Sequence, residues 1–274
     1  MLAATALALV AQDRLSLDEP VKGRPFTLRQ LMQHRAGLPD YGSLPAYHRA
    51  VETREIPWPP EELMERVHAD TLIFEPGSGW AYSNVGYLLV RNLIEESTGD
   101  ALNQALKRLT LDPLGTEDVK VATTPDELND TAWGNVSGYH PGWVYHGLLI
   151  GTAGNAALFL HRLLAGHLLP GSLLAAMCEA HPLAFTDSER PWKTTGYGLG
   201  LMIGIGEPSG QYIGHTGAGP GSTAAVYQLA SEHRTTGNAR QTAAAFAQLD
   251  EPSVVERRAI ALTNSPLPPP LLVI

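Results

Sequence analysis

Two short polar stretches, Tyr82-Ser83-Asn84 and His215-Thr216-Gly217-Ala218, hold the residues through which this chain could do chemistry. Tyr82 follows the turn-forming run Glu75-Pro76-Gly77-Ser78-Gly79 and stands immediately before a helical pattern, so its phenol sits on a loop held by a rigid element. A phenol titrates near pH ~10, and it takes up a proton at neutral pH only beside a cation or in a pocket that favours transfer. Its positive partner must therefore come from elsewhere in the chain. Asn84 carries both an amide donor and a carbonyl acceptor, which suits holding a substrate amide; an asparagine at this position would equally cap the helix that follows. Ser83, between them, is placed to line the same pocket. At the second stretch, side chains alternate along a strand, so His215 and Gly217 share a face, and the glycine lets a substrate backbone approach closely. His215 could supply positive charge or relay a proton, and the Ala218 N–H could donate to a developing oxyanion. A histidine at a strand end before Gly219-Pro220-Gly221 is also ordinary sheet termination.

Acyl-transfer chemistry would need a nucleophile, and none is recognisable in the 274 residues. The four lysines are Lys22, Lys107, Lys120 and Lys193, and the residues three places before them are Glu19, Gln104, Glu117 and Arg190, so no Ser-x-x-Lys occurs. No Gly-x-Ser-x-Gly elbow occurs either, and Ser78, Ser83 and Ser222 lack a lysine three residues on. The remaining histidines show no metal-ligand spacing such as His-Glu-x-x-His, so no metal and no cofactor are expected.

The elements that must position these residues read as a single α+β domain over residues 1–274, with a helical region about 26–195 and a sheet region about 196–265. With 44% hydrophobic and 17% charged residues the chain can bury a full core. The net charge of −9 and the absence of a basic run argue against nucleic acid as a partner, and leave a small-molecule or peptide substrate as the expected one. Cys178, the single cysteine, excludes an internal disulfide and reads as a small buried hydrophobe. Met1 to Val10 is apolar, but the first basic residue is Arg14, so it reads as a core helix and not a secretion signal. No apolar run is long enough to span a bilayer.

Further helices are expected over Phe26 to His34 with Thr27 as cap, from Pro59-Pro60-Glu61-Glu62, over Asn84 to Ser97 with Gly99 as its stop, and over Asn155 to Ala165. Leu44 to Pro60 and Ala180 to Thr195 read as loops, and Pro266 to Pro270 as a rigid non-helical tail. After Gly196, Tyr197 to Ile203, Gln211 to His215, Thr223 to Tyr227 and Ala259 to Thr263 read as strands of an antiparallel sheet.

Leu15 to Val21, Phe26 to Tyr41, Phe74 to Tyr87, Gly147 to Leu164, Tyr197-Gly198-Leu199-Gly200, His215-Thr216-Gly217 and Ala259 to Asn264 follow one another in an order that resembles the β-lactamase-related serine hydrolases. These include class C β-lactamases, penicillin-binding proteins, D-alanyl-D-alanine carboxypeptidases, D-aminopeptidases and esterases. The likeness weakens from Ala230 to Arg257, where an insertion lengthens a hairpin. It implies a β-lactamase/transpeptidase-like fold, an antiparallel sheet flanked by helices, and hydrolysis of an amide or ester through an acyl-enzyme. In such proteins the serine of Ser-x-x-Lys attacks an acyl carbon while its lysine and a tyrosine shuttle protons. Carried over, Tyr82 is the acid/base, Asn84 the substrate-amide ligand, His215 the third-motif cation and Ala218 an oxyanion amide, with Ser83, Thr216 and Gly217 as substrate contacts. A histidine at the third motif resembles D-peptidases and some esterases more than dedicated β-lactamases. Family spacing puts Ser-x-x-Lys and two N-terminal strands before Met1 and a C-terminal helix after Ile274. The expectation is therefore a chain cut into its fold, missing its N-terminal strands and inactive as it stands. The alternative is a relative that binds peptide or β-lactam-like ligands without acylation.

Overall fold

Helices fill the front of the chain and strands its back, the α+β order read from the sequence. The computed structural model describes residues 1–135, 138–184, 189–207, 210–230, 242–249 and 251–265. In chain order the helices are α1 (Leu2–Val10), α2 (Leu28–Met32), α3 (Pro45–Glu52), α4 (Pro60–Arg66), α5 (Asn84–Thr98), α6 (Leu102–Leu106), α7 (Ala153–Leu164), α8 (Gly171–Cys178) and α9 (Pro252–Thr263). The strands are β1 (Lys120–Ala122), β2 (Leu148–Ile150), β3 (His181–Leu183), β4 (Trp192–Tyr197), β5 (Met202–Gly206), β6 (Gly210–Gly219), β7 (Ser222–Leu229) and β8 (Thr242–Ala247). The chain divides into two compact units, Met1–Gly151 with Leu168–Ala176, and Thr152–His167 with Met177–Ile274.

In the first unit, α1 is apolar on every face and is buried from Leu2 to Leu9, packed on α5 and α6. α2 starts with a reciprocal capping box: the Thr27 hydroxyl accepts from the Gln30 N–H at 3.2 Å, and the Gln30 side chain accepts from the Thr27 N–H at 2.9 Å. α5 buries Val85, Leu88, Val90 and Ile94 and ends at Gly99, whose φ of 73° only glycine adopts freely. Its cap is Ser83 and not Asn84: the Ser83 hydroxyl accepts from the Gly86 N–H at 3.1 Å, and Asn84 is already helical. The stretch Leu44 to Pro60, expected as loop, contains α3, which Pro45 opens at the first helical position. Buried Trp143 holds this stretch down by donating from Nε1 to the Glu55 carbonyl at 3.2 Å, while the Tyr47 hydroxyl donates to the Trp143 carbonyl at 3.0 Å. β1 and β2 form a separate antiparallel pair.

In the second unit, β3 to β8 form one six-stranded antiparallel sheet in sequential order. α9 packs across β6, β7 and β8, where Tyr212, Ala225, Tyr227 and Leu229 meet Val255, Ala259 and Ile260, and α7 packs against β7 and β8. Several expectations change here. Tyr197 to Ile203 is not one strand but the end of β4, a turn and the start of β5: the Gly198 N–H donates to the Leu201 carbonyl at 2.8 Å, and Gly200 has φ 73°. Alternating glycines imitate strand periodicity while marking a hairpin. Ala259 to Thr263 is the last part of α9, because Val255, Glu256, Ala259, Ile260 and Thr263 form one buried helical face and Pro252 starts the helix. The last described strand is β8, and α9 follows it, so the helix expected after Ile274 has a counterpart within the chain. Ala180 to Thr195, expected as loop, supplies β3 and most of β4, with 185–188 outside the described residues. The stretch Ala230 to Arg257, expected as an insertion, includes β8 and the start of α9, while 231–241 lie outside the described residues, as does the tail from 266.

Candidate active site

The first group of site residues rests on two segments, 34–40 and 73–84, stitched together side by side. The Ile73 N–H donates to the Gly37 carbonyl at 2.8 Å, the Gly77 N–H to the Arg35 carbonyl at 2.8 Å and the Ala81 N–H to the His34 carbonyl at 3.0 Å. The Ser83 N–H donates to His34 Nδ1 at 3.1 Å, and the Ser83 hydroxyl to the Pro39 carbonyl at 2.7 Å. Gly37 makes this closeness possible, since a Cβ there would lie 2.1 Å from the Phe74 carbonyl oxygen. Ser83 is thereby buried, with its hydroxyl directed at Pro39 and Gly86. Tyr82 faces outward and is 39% exposed, with one face of its ring 4.2 Å from the buried His34 imidazole. The Asn84 N–H donates to Asp40 Oδ1 at 2.7 Å. Crowding around the Tyr82 hydroxyl, reinforced by the Asp40 charge, pushes its pKa up to about 12, and burial raises that of Asp40. Tyr82 therefore rests as a neutral phenol.

The second group lies on β6. His215 and Gly217 point to one face and Thr216 to the other, as the strand alternation requires. On the Thr216 side the hydroxyl contacts Tyr227 Oη and donates to Glu256 Oε1, both at 2.7 Å. Glu256 is fully buried and also accepts from Arg190 and, at 3.2 Å, from Trp192 Nε1. On the His215 side, the Tyr197 hydroxyl and His215 Nε2 are 2.9 Å apart. Burial lowers the His215 pKa to about 4, so at pH 7 the imidazole is uncharged. The expected third-motif cation is thus a neutral hydrogen-bonding ring in this structure. β5 pairs with β6 only as far as Gly214, so among the described residues of this unit His215 to Gly219 have a strand partner on the β7 side alone. Gly217, Ala218 and Gly219 are exposed along that open edge.

The family model described as Beta-lactamase matches residues 1–263. The chain belongs to the beta-lactamase family. Among individual relatives of this beta-lactamase-family chain, the penicillin-binding protein 4* of Bacillus subtilis (strain 168) is 28% identical over 137 residues, covering 45% of this chain and 29% of that protein. The esterase EstB of Burkholderia gladioli is 30% identical over 140 residues, covering 43% and 35%. Those matches span about a third of each curated relative. In three dimensions, a D-stereospecific amidohydrolase from Streptomyces sp. superposes with a TM-score of 0.79 at 26% identity, covering 96% of this chain and 83% of that one. The fold is therefore β-lactamase/transpeptidase-like, with antiparallel strands flanked by helices.

Of the residues singled out in the sequence, Tyr82, Ser83 and Asn84 stand together in the first unit, and His215, Thr216, Gly217 and Ala218 in the second. Sequence reasoning missed His34 and Asp40, which hold the first group, and Tyr197 and Glu256, which hold the second. His34 and Asp40 did lie in the conspicuous run Gln33-His34-Arg35-Ala36-Gly37-Leu38-Pro39-Asp40. Glu256 had no local signal. Among the described residues no group of three or more His, Cys, Asp or Glu side chains is placed to hold a metal ion, and no helix is long and apolar enough to cross a membrane.

Proposed function

We propose that this chain carries the substrate-handling part of a serine hydrolase acting on amide or ester bonds through an acyl-enzyme. The observation that carries this reading is the open edge of β6 from His215 to Gly219, flanked on its own face by His215 and free of side-chain bulk at Gly217 and Gly219. An extended acyl chain can pair with such an edge through main-chain hydrogen bonds. The Ala218 N–H lies on that stretch as a donor for the carbonyl oxygen as it becomes an oxyanion. Tyr82, a neutral phenol, gives its proton to the departing nitrogen or oxygen, and the phenolate so formed takes one back from the water that attacks the acyl-enzyme. Asn84 holds the substrate amide, and His215 with Tyr197 passes hydrogen bonds to the acyl group. The names of the relatives, a D-stereospecific amidohydrolase and an esterase among them, support amides and esters as the substrate class.

Residues 1–274 contain no Ser-x-x-Lys segment to supply the attacking serine of this reading. In a form of the protein that carries such a segment, hydrolysis of a D-amino acid amide should fall about 10²–10⁴-fold in Tyr82→Phe, with a smaller loss in His215→Ala. Full activity in both variants would remove the assignment. The 274-residue chain should take up no fluorophosphonate on serine. Saturable binding of a D-peptide by that chain, without turnover in any longer form, would favour the second reading, a ligand-binding relative.

A further inference from the structure

Helix α2 ends in a turn of the kind that favours glycine. The His34 N–H donates to the Leu31 carbonyl at 3.1 Å and the Arg35 N–H to the Gln30 carbonyl at 2.7 Å, the paired bonds that close a helix through one left-handed residue. That residue is His34, at φ 57°. Among the described residues the non-glycine positions with positive φ are Asp13, His34, Arg54 and His68, and of these His34 alone is buried. Its Cβ disfavours this conformation, and glycine would close the same turn without that cost. The imidazole is therefore kept here for what it touches.

It touches the Tyr82 segment from both sides. The His34 carbonyl accepts from the Ala81 N–H at 3.0 Å and His34 Nδ1 from the Ser83 N–H at 3.1 Å, so one residue fixes the amides before and after Tyr82. Between these two bonds the imidazole lies against the Tyr82 ring, with centroids 4.2 Å apart and planes 35° from parallel. Tyr87, with its ring centroid 5.1 Å away, and Trp80, edge-on at 6.0 Å, hold the imidazole in turn. A backbone N–H only donates, so Nδ1 carries the lone pair and the ring is neutral, with its proton on Nε2. The two backbone bonds set where the Tyr82 side chain leaves the chain, and the ring contact sets which way its phenol turns.

We infer that His34 is a positioning residue for Tyr82, aiming the phenol by gripping the two neighbouring amides and one face of the ring. This rests on the reading of Tyr82 as the acid/base, and two kinds of readout separate the claims. The first needs no substrate. In the 274-residue chain, three-bond couplings about χ1 of Tyr82 should report a single staggered rotamer, and in His34→Gly and His34→Asn they should average over rotamers because the ring face is gone.

The second readout is kinetic, in a form of the protein that carries Ser-x-x-Lys. His34→Gly suits the turn but removes both ring and acceptor, and kcat on a D-amino acid amide should fall about 10²-fold with KM changed by less than about two-fold. His34→Asn tolerates a positive φ and offers Oδ1 where Nδ1 stood, so it should recover about ten-fold of that loss, the order of one hydrogen bond. In a Tyr82→Phe background His34→Gly should cost nothing further, since the group it aims is absent. Where His34→Gly does not fold, His34→Asn carries both readouts.

A Tyr82 ring that keeps one rotamer in these variants overturns the proposal. So does a loss from the His34 substitution that is undiminished in the Tyr82→Phe background, which would mark a general structural role. A Tyr82→Phe variant with full activity removes the acid/base reading instead, and the couplings then decide the His34 grip alone.

Discussion

The tyrosine segment and the histidine segment are held by different physics. Tyr82 sits on irregular backbone and Asn84 at the first position of α5, both fixed by single hydrogen bonds to a strap more than forty residues earlier, such as the Ser83 hydroxyl to Pro39 and the Asn84 N–H to Asp40. His215 sits on a strand with a continuous ladder to β7 along its length, and its neighbour Thr216 is bonded through to a buried carboxylate on α9. A loop-built group can be aimed residue by residue, whereas a strand-built group moves only with its sheet. Tyr82 and His215 nevertheless share one property: loss of water around the titrating atom disfavours the charged form of both, so each rests neutral at pH 7.

The largest test of this contrast falls on the sheet. Glu256→Ala removes the acceptor shared by Arg190, Trp192 and Thr216 and leaves a guanidinium and two polar groups beneath β6 without it. The expected loss is about 3 kcal/mol, from the cost of breaking a buried ion pair, moderated by the partial exposure of Arg190. Urea unfolding measures it, and a loss below about 1 kcal/mol would mean that the strand does not depend on α9. Ser83→Ala is the matching test on the loop side. It removes the cap of α5 and the bond to Pro39, and about 1–2 kcal/mol should be lost. A loss as large as that of Glu256→Ala would erase the contrast.

A third test is a pH dependence. The folded pKa of His215, about 4, lies below the ordinary value of about 6.5, so between those limits the unfolded chain binds the extra proton. Stability should therefore fall as pH drops through this window and level off below it. His215→Gln should flatten that part of the profile. An unchanged slope in the variant would show that the imidazole does not carry the effect.

Much of this architecture was legible where a signal was local. The Asn84 to Ser97 helix declared itself through its apolar stripe and Gly99, and the start of α2 through Thr27 and Gln30. Misreadings came where a short window satisfied two periods. Ala259 to Thr263 is apolar enough for a strand when read without Val255 and Glu256, and Tyr197 to Ile203 alternates through glycines that bend it. The residues that aim the site were harder to see for another reason. His34 and Asp40 act on Ser83 and Asn84 across 49 and 44 residues, and Glu256 acts on Thr216 across 40, separations at which no local pattern exists.

The position of Glu256 also bears on the order of folding. Ribosomal synthesis delivers β4, β6 and β7 before α9, so the hairpins can pair while Arg190, Trp192 and Thr216 still lack their common acceptor. The strand bearing His215 then gains its final support only as one of the last described elements emerges, and a nascent chain stalled before Pro252 would hold a paired but unanchored sheet.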